Sequence, residues 1–281
     1  MQSSTGCPQL IKRVGLDSFF CYLSQSLAFS PDFDEAMQLI EHVKTAYNDI
    51  DVWDTGHGFE FQVIGATHAA FHRQRLMTGH AWDAITGATL LYPKPPPTSI
   101  LMLGLAGGTA VRQLRHFLPD AKITAVEIDK DIVELAQKYM HLNELEIEVV
   151  IDDAYAFITA PRTFDVVIDD VYVSGLKDVM RPRDIEHDVL KNLTRQVHDE
   201  GVVCTNLVTG AGHRIVQSLA RKCFLETFAE VRVVTPPDSY NQTLVGGNAL
   251  APPRQLKPYG KTLPSSYDQR KWRQLQLKRL K

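Results

Sequence analysis

Leu101-Met-Leu-Gly-Leu-Ala-Gly-Gly-Thr109 is the stretch that decides the fold. An apolar strand runs into a glycine-rich turn there, and a helical pattern begins directly after the turn. Glycines let the backbone approach a ligand closely, and the N-terminus of the following helix offers free N–H groups. Glu127 ends the next predicted strand, about twenty residues on, where a carboxylate can accept hydrogen bonds from both hydroxyls of a ribose. Together these features predict a nucleoside cofactor at the carboxyl ends of two neighbouring strands.

Short apolar strands alternate with helical segments from residue 99 onwards. The predicted strands are Ile100–Leu103, Lys122–Val126, Ile147–Ile151, Phe164–Ile168, Gly201–Leu207, Val231–Val234 and Thr243–Val245. The predicted helices are Thr109–Leu118, Asp129–Met140, Arg183–His198 and a segment that ends near Phe224. This alternation is typical of an α/β fold with a mostly parallel, doubly wound sheet that is covered on both faces. We expect the last two strands to form an antiparallel hairpin at one edge.

A small β-rich segment precedes this sheet. Ile50 and Val52, then Phe59, Phe61 and Val63, alternate with polar residues on either side of a glycine-containing turn, which predicts a β-hairpin. A second extended segment follows Gly65, and a helix is predicted over residues 75–92. Four prolines between residues 93 and 97 end this helix and form a stiff linker.

These patterns divide the chain into four parts. The predicted parts are an N-terminal extension with a helix over 31–46 (residues 1–46), a small hairpin-and-helix domain (47–97), a cofactor-binding domain (98–249) and a basic tail (250–281).

The tail differs in charge from the rest of the chain. The whole chain has 30 basic and 33 acidic residues, whereas residues 250–281 contain nine basic residues and one acidic residue, Asp268. We expect this tail to pack on the acidic body or on a partner subunit rather than to bind nucleic acid. Residues 252–266 are predicted to be a loop, and residues 267–281 a basic helix or a mobile end.

Composition excludes several classes of protein. No stretch approaches the length of an uninterrupted apolar transmembrane helix, and the N-terminus lacks the pattern of a signal peptide. The four cysteines show no C-x-x-C spacing, which argues against a zinc ribbon and a dithiol redox site. His68 and His72 share a strand face without a clear third ligand, so we expect no metal site. A cytoplasmic location fits these features.

Pairs of carboxylates follow two further strands. Asp153, after the third strand, could accept the amino group of an adenine; the alternative is an N-cap for the helix that begins near Ala154. Asp169 and Asp170 end the fourth strand, where α/β sheets bind ligands, and neighbouring residues on a strand point to opposite faces. Asp170 could hold a cationic amine or take a proton, and the alternative is an ion pair with Arg181 or Arg183.

Residues 47–248 resemble the spermidine synthase-like branch of the S-adenosylmethionine-dependent transferases. The landmarks are Tyr47-Asn-Asp-Ile-Asp-Val-Trp53, Leu103-Gly-Leu-Ala-Gly-Gly108, Ala125-Val-Glu-Ile-Asp129, Asp153-Ala154 and Asp170-Val-Tyr172. The resemblance implies a Rossmann-like methyltransferase fold behind a small β-rich domain. It also implies that Glu127 binds ribose, that Asp153 lies near adenine, and that Gly104 and Asp170 face the sulfonium. The predicted cofactor contacts are Asn48, Gly104, Ala106, Gly107, Gly108, Glu127, Ile128, Asp153, Ala154 and Asp170.

Three departures from the family's pattern bear on the reaction. Aminopropyltransferases carry an Asp in the loop, as G-G-G-D-G, which helps to select decarboxylated S-adenosylmethionine; the corresponding stretch here, Gly107-Gly-Thr-Ala110, has no acid. They carry D-S-S-D after the fourth strand, and this chain has Asp170-Val-Tyr-Val173. Their S-x-Y-Q glutamine corresponds to Asn48. Intact S-adenosylmethionine is therefore the expected cofactor, rather than its decarboxylated form.

The expected reaction is methyl transfer to a small-molecule amine or amino-acid derivative. Alternatives are transfer or cyclisation of the aminopropyl or aminocarboxypropyl arm with release of methylthioadenosine, and a non-catalytic nucleoside-binding protein. A nicotinamide-dependent dehydrogenase is disfavoured because Ala106 and Thr109 replace two glycines of the dinucleotide fingerprint.

Other residues are candidates for the acceptor side and for catalysis. Asp170 and Tyr172 are the predicted catalytic residues. The predicted substrate contacts are His80, Trp82, Asp83 and Tyr240, with Asn206 a further candidate at the carboxyl edge of the sheet. Trp82 could instead be a core residue of its helix. The apolar N-terminal segment and the resemblance together favour a homodimer.

Overall fold

The computed structural model describes residues 37–175 and 179–281. The strands are β1 (Gln38–Lys44), β2 (Asp49–Asp54), β3 (Gly58–Val63), β4 (Ala66–His72), β5 (Ser99–Leu103), β6 (Lys122–Glu127), β7 (Glu148–Ile151), β8 (Phe164–Asp169), β9 (Val173–Ser174), β10 (Val179–Met180), β11 (Val197–Val208), β12 (Glu230–Thr235), β13 (Asn241–Gly247) and β14 (Gln276–Arg279). The α-helices are α1 (Ala81–Thr89), α2 (Thr109–Phe117), α3 (Lys130–Tyr139), α4 (Ala154–Phe157), α5 (His187–Thr194), α6 (Arg214–Thr227), α7 (Leu256–Thr262) and α8 (Ser266–Arg273). Short 3₁₀ turns occupy Leu142–Leu145, Ala211–His213 and Pro253–Gln255.

Eight strands form the central sheet, in the order β14-β12-β13-β11-β8-β5-β6-β7. The strands from β11 to β7 are parallel, whereas β12, β13 and β14 pair in antiparallel fashion. This confirms the predicted α/β class and its antiparallel edge. The β12–β13 pair does not itself form the edge, because β14 adds to the outer side of β12, with Val233 opposite Lys278.

Both faces of the central sheet are buried. Ile100 and Met102 of β5 belong to one core, which includes α1, α2 and the C-terminal helices, and Leu101 and Leu103 belong to the other, which includes α5 and α6. Because successive side chains of a strand point to opposite faces, a run of apolar residues without alternation is what a doubly covered strand requires.

A separate four-stranded antiparallel sheet, β1-β2-β3-β4, precedes the central sheet. The predicted hairpin is confirmed as β2 and β3, with Ile50 opposite Val63, and the extended segment after Gly65 is β4. The predicted helix over 31–46 is wrong for Gln38–Lys44, which forms β1 and pairs with β2. Between residues 40 and 44 exposed and half-buried side chains alternate, a period of two that the apolar residues alone did not reveal. The part of that helix before residue 37 lies outside the described residues.

Several predicted boundaries also change. The helix predicted over 75–92 begins only at Ala81, and the helix predicted over 183–198 is reduced to α5, because Val197 already pairs with Phe164. The predicted loop at 252–266 contains α7, and the predicted basic helix or mobile end contains α8 and β14. No helix within the two described ranges is long and apolar enough to cross a bilayer.

The direction of α1 places its first residues towards the carboxyl ends of the parallel strands. This helix packs against β11, β12 and β13. Tyr92, just after its end, donates a hydrogen bond through its hydroxyl to Asp165 at the start of β8 (3.1 Å). The N-terminal end of α1, with His80, therefore lies towards the carboxyl ends of the parallel strands. The helix packs with the central sheet, and the domain boundary near residue 97 stays a prediction.

Candidate functional site

The carboxyl ends of five parallel strands lie next to one another and carry the candidate residues. Gly104 follows β5, Glu127 ends β6, and Asp152 and Asp153 follow β7. Asp169 ends β8, Asp170 follows it, and Asn206 lies near the end of β11. The register joins these ends, since Leu103 is opposite both Val126 and Asp169. Open α/β sheets bind their ligands at this edge.

The glycine loop between β5 and α2 is shaped by close backbone contacts. Gly104 has a φ of +80°, and a Cβ added there would lie 2.3 Å from the carbonyl oxygen of Asp170. No residue with a side chain fits that position. The same approach brings the backbone of Asp170 against the loop. Gly104 and Asp170 are thus brought together at this edge.

The carboxylate of Glu127 holds the glycine loop from the neighbouring strand. Its Oε2 accepts hydrogen bonds from the backbone N–H groups of Leu105 (2.9 Å) and Ala106 (3.0 Å), and its Oε1 accepts one from Asp129 (3.1 Å). A carboxylate offers about four acceptor positions. One position on Oε1 is left, and the side chain is half-exposed. The residue therefore fits a ribose hydroxyl while it keeps the loop in place.

Glu127→Ala is expected to weaken S-adenosylmethionine binding by about 1–3 kcal/mol, because the variant loses a ribose acceptor and leaves loop N–H groups without a partner. Isothermal titration calorimetry measures the change. Asp152→Ala is the matched control, since Asp152 is exposed just after the adjacent strand β7 and, among the described residues, its carboxylate accepts the N–H of Asp153. Wild-type affinity in Glu127→Ala would remove the ribose assignment.

The small sheet closes over the glycine loop and leaves no space for an acid at Gly107. A Cβ added at Gly107 would lie 2.4 Å from the Cβ of Ala69 in β4 and 3.2 Å from Cγ of Met140. Next to it, Thr109 Oγ1 donates to the carbonyl of Ala70 (3.0 Å) and accepts from the N–H of Ala70 (2.9 Å). The packing of the loop therefore leaves no room for a side chain at Gly107.

Gly107→Asp is expected to lower the free energy of unfolding by about 1–3 kcal/mol, the usual cost of overpacking a closed site. The introduced carboxylate would also repel the carboxylate of intact S-adenosylmethionine, so the variant should lose affinity for the intact form relative to the decarboxylated form. Urea unfolding measures the first effect and calorimetry with both cofactor forms the second. The double variant Gly107→Asp/Ala69→Gly should recover part of the stability, because it removes the nearest clash. An unchanged unfolding midpoint in Gly107→Asp would contradict this account of the loop.

Asn48 connects the small sheet to the end of β6. Its Nδ2 donates to Asp129 Oδ2 (2.9 Å), which also accepts from Thr45 Oγ1 (2.6 Å). Its Oδ1 accepts from Ser174 Oγ (3.4 Å), after the end of β8. The half-buried Ile128 lies between Glu127 and Asp129. Asn48 thus lies among the cofactor candidates, with its amide engaged in protein contacts.

Asp153 has the capping role that was the alternative to cofactor binding. Its Oδ1 accepts from the N–H groups of Tyr155 (2.7 Å) and Ala156 (3.3 Å), at the start of α4. The side chain is exposed and Ala154 is buried. The cap uses only Oδ1 of Asp153. A contact between Oδ2 and adenine stays a prediction.

The adjacent Asp169 and Asp170 have different environments. Asp169 is fully buried and forms an ion pair with Arg181, whose Nη1 also donates to the carbonyl of Asn206 (3.1 Å). The Arg181 partner that was considered for Asp170 therefore belongs to Asp169. Sequence reasoning named Arg181 only as an alternative partner, because a lone arginine after a loop gives no signal of burial.

Asp170 is a carboxylate of this edge whose pKa is raised. Its Oδ1 accepts a hydrogen bond from Asn206 Nδ2 (2.8 Å). Burial raises the pKa of Asp170 to about 7, while the bond from Asn206 and the charge of Arg181 act in the opposite direction. A carboxylate with such a pKa exchanges a proton near neutral pH, as a general base must.

The hydroxyl of Tyr172 is bound by the end of β11. It donates to the carbonyl of Asn206 (3.1 Å) and accepts from the N–H of Val208 (3.1 Å), and burial raises its pKa. The guanidinium of Arg181 lies 5.2 Å from the ring centroid. The phenol is therefore protonated, and its hydroxyl is engaged in hydrogen bonds within the protein. These bonds hold the side chain of Tyr172 in place, and a direct catalytic role for it stays a prediction.

A cavity of about 270 Å³ opens next to Tyr172, between the segment after β8 and the start of α6. Its wall is partly apolar and partly charged. The lining residues are Tyr172, Met180, Arg181, Asp184, Leu207, Val208, Gly212, His213 and Val216.

The acceptor-side candidates divide into two groups. Asn241 Nδ2 donates to Asn206 Oδ1 (3.3 Å), and the N–H of Asp238 donates to the carbonyl of Gly79 (2.9 Å), so the loop before β13 joins Asn206 to the residue before His80. Tyr240 lies in this loop and is 61% exposed. A chain of hydrogen bonds therefore links the segment that ends at His80, through residues 238–241, to Asn206 and Asp170.

Trp82 and Asp83 lie inside the protein instead. Trp82 is buried in the core, as its alternative predicted. The fully buried Asp83 accepts hydrogen bonds from Thr78, Gly79 and Gln113 (2.7–3.0 Å), which gives it a structural role at the start of α1. Contact of either residue with an acceptor is only a prediction.

Comparisons with known proteins agree with this architecture. Residues 84–237, more than half of the chain, match the family model described as the spermine/spermidine synthase domain. A Drosophila pseudoobscura pseudoobscura protein, "eEF1A lysine and N-terminal methyltransferase homolog", is 36% identical over 129 residues, which cover 43% of this chain and 19% of that protein. The chain matches less than a third of the length of each of the first three curated relatives (19%, 19% and 31%).

Two solved structures have the same fold. A probable spermidine synthase from Corynebacterium glutamicum superposes with a TM-score of 0.65 at 16% identity, covering 86% of this chain and 91% of that chain. Human methyltransferase-like protein 13, in complex with SAH, superposes with a TM-score of 0.55 at 24% identity, covering 70% and 94%.

Proposed function

The chain belongs to the spermine/spermidine synthase domain family, and from that premise we propose that it is an S-adenosylmethionine-dependent methyltransferase. The acceptor is an amine, in a small molecule or an amino-acid derivative. The cofactor is intact S-adenosylmethionine, and the product is S-adenosylhomocysteine (SAH).

The main support for methyl transfer from intact S-adenosylmethionine is that the glycine loop contains no acidic residue. Gly107 lies against Ala69 with no space for a side chain. A carboxylate in this loop would repel the carboxylate of intact S-adenosylmethionine and attract the amine of the decarboxylated form. Its absence favours the intact cofactor. The relatives named as methyltransferases and the neighbour in complex with SAH support the same choice.

The cofactor, when bound, supplies a methyl group on an electrophilic sulfonium. The protein then has two tasks, to orient the acceptor nitrogen in line with that methyl group and to remove a proton from it. Asp170 suits the second task, because its carboxylate is held by Asn206 and its pKa is near 7. The proton that the amine loses passes to Asp170 Oδ1 or Oδ2.

The cavity beside Tyr172 suits one end of the acceptor. Its volume of about 270 Å³ is below the roughly 300–1,000 Å³ that enclose a whole drug-sized ligand. The cavity therefore suits a small amine or one end of a longer molecule. An amine at the end of a longer molecule fits this arrangement, and the relatives' name adds protein amines to the acceptors that a screen should contain.

Aminopropyl transfer is the second candidate. The family model and the probable spermidine synthase with the same fold favour it. The missing loop acid and the single acid of Asp170-Val-Tyr-Val173 weigh against it. This reaction would release methylthioadenosine in place of SAH.

Product analysis tests the proposal. The protein is incubated with S-adenosylmethionine, and separately with its decarboxylated form, together with a pool of amines, amino acids and short peptides. SAH above the no-protein control, identified by mass spectrometry, is the expected result. Methylthioadenosine instead would overturn methyl transfer, and binding without either product would favour a nucleoside-binding protein. A homodimer and a cytoplasmic location stay predictions.

A further inference from the structure

The C-terminal segment, residues 256–281, follows the part of the chain that matches the family model, yet it folds closely onto the domain. Trp272 of α8 is buried against Phe117 of α2, and its Nε1 donates to the carbonyl of Leu256 (2.9 Å). This aromatic contact anchors α8 in the core. Two charged residues of α8, Asp268 and Lys271, contact loops near the carboxyl ends of the parallel strands, where the candidate site residues lie.

Asp268 of α8 fixes the chain just before α1. Its side chain is fully buried. Its Oδ1 accepts hydrogen bonds from the N–H groups of Leu76 (2.9 Å) and Met77 (2.8 Å), and its Oδ2 accepts one from Ser265 Oγ (2.5 Å). A buried carboxylate is costly unless it is fully hydrogen-bonded, and here two of its bonds go to the backbone of one loop. Asp268 therefore holds the conformation of residues 76–80, which end at His80.

Lys271, one turn further along α8, holds a second loop. Its Nζ forms an ion pair with Asp238, in the loop between β12 and β13. The N–H of Asp238 in turn donates to the carbonyl of Gly79 (2.9 Å). The two loops, residues 76–80 and 236–240, are thus joined to each other and to α8.

Further hydrogen bonds connect these two loops to Asp170. The carbonyl of Tyr240 accepts a hydrogen bond from Thr209 after β11 (2.6 Å), and Asn241 contacts Asn206, which holds Asp170 (2.8 Å). We infer that Asp268 and Lys271 are positioning residues, through which the C-terminal helix holds His80 and Tyr240 on the acceptor side of the site. The inference rests on the proposed function for the meaning of "acceptor side", whereas the positioning itself can be tested without turnover.

The electrostatics of His80 provide a local probe. Burial lowers the pKa of His80, the carboxylate of Asp238 raises it, and the ammonium of Lys271 lowers it. Asp238 belongs to the loop before β13 and Lys271 to α8, so both charges reach His80 from the elements that are proposed to position it. Removal of the ammonium should therefore move the titration of His80 to higher pH.

Lys271→Met and Asp268→Ala are the test variants, and Lys278→Met is the control, because Lys278 is an exposed lysine of the same segment. The His80 titration is followed by NMR of histidine-labelled protein. Lys271→Met should shift it to higher pH, Lys271→Arg should restore it, and Lys278→Met should leave it unchanged. An unmoved titration in Lys271→Met would contradict the proposal.

Hydrogen exchange and cofactor binding separate local positioning from general loosening. Asp268→Ala should raise amide exchange at Leu76 and Met77 at least tenfold, with Leu105 and Ala106 of the glycine loop unchanged. The Kd for S-adenosylmethionine should stay within twofold, while the rate of SAH formation from the pool of amines, amino acids and peptides falls more than tenfold. Equal increases of amide exchange at Leu76 and Met77 and in the glycine loop would overturn the proposal, and so would a loss of cofactor affinity. If the wild-type protein forms no SAH, the proposed function fails, and the titration and exchange results still decide the positioning.

Discussion

Asp170→Asn is expected to slow methyl transfer by about 10²–10⁴-fold, the usual contribution of a general base. Asparagine keeps the shape of the side chain but cannot take the proton that the acceptor amine loses. The fold should survive, because the wild-type carboxylate is itself half protonated near pH 7, where its pKa lies. The rate of SAH formation under saturating S-adenosylmethionine measures the effect.

The pH dependence of the same rate gives a second check. The active form of Asp170 is the deprotonated carboxylate, so the wild-type rate should rise as the pH increases through about 7 and then level off. The Asp170→Asn variant should lack this rise. Asp152→Asn is the matched control, as an exposed carboxylate at the end of the neighbouring strand. Wild-type turnover in Asp170→Asn, with the same pH profile, would exclude Asp170 as the base.

Arg181→Met is expected to lower the free energy of unfolding by about 3–5 kcal/mol, because it leaves the fully buried carboxylate of Asp169 without its counter-charge. The variant also removes donors to the carbonyl of Asn206 and to the hydroxyl of Tyr155 (3.1 and 3.3 Å). Urea unfolding followed by circular dichroism measures the loss.

Two further variants make this stability test specific. Arg183→Met should change stability by no more than about 0.5 kcal/mol, because Arg183 is exposed. The double variant Asp169→Leu/Arg181→Met should regain most of the loss, since replacing both members of a buried pair removes the uncompensated charge. Equal stability of Arg181→Met and Arg183→Met would show that the buried pair does not stabilise the edge.

The central sheet could be predicted because its strands are apolar on both faces and its helices follow in order. The succession of β5, the glycine loop and α2 gave a local signal for each element. Other elements depend on partners distant in the chain. Gln38–Lys44 contains apolar residues at a helical spacing, and only pairing with β2 makes it a strand. Gln276–Arg279 is basic and short, and it becomes β14 only because the edge of β12 is available.

The placement of the candidate residues at strand ends was predictable from the sequence. The sequence pointed to Glu127 and Asp170 because each comes at the end of an apolar strand, at the edge where α/β sheets bind their ligands. It could not assign the ion pair of Arg181 to Asp169 rather than Asp170, because that depends on which face each carboxylate takes. The contacts of Asp268 with Leu76 and Met77 join residues that are 192 and 191 positions apart in the chain, so no local sequence pattern predicts them.

In the proposed reaction the methyl group, rather than the aminopropyl arm, leaves the sulfonium. The most direct measurement is a competition in which the protein receives equal amounts of S-adenosylmethionine with a trideuterated methyl group and of decarboxylated S-adenosylmethionine, with the pool of amines, amino acids and peptides. Mass spectrometry then follows the nucleosides and the acceptors together. We expect SAH, an acceptor that has gained one trideuterated methyl group, and methylthioadenosine at the level of the no-protein control. Methylthioadenosine with an aminopropylated acceptor, and no SAH, would contradict the account.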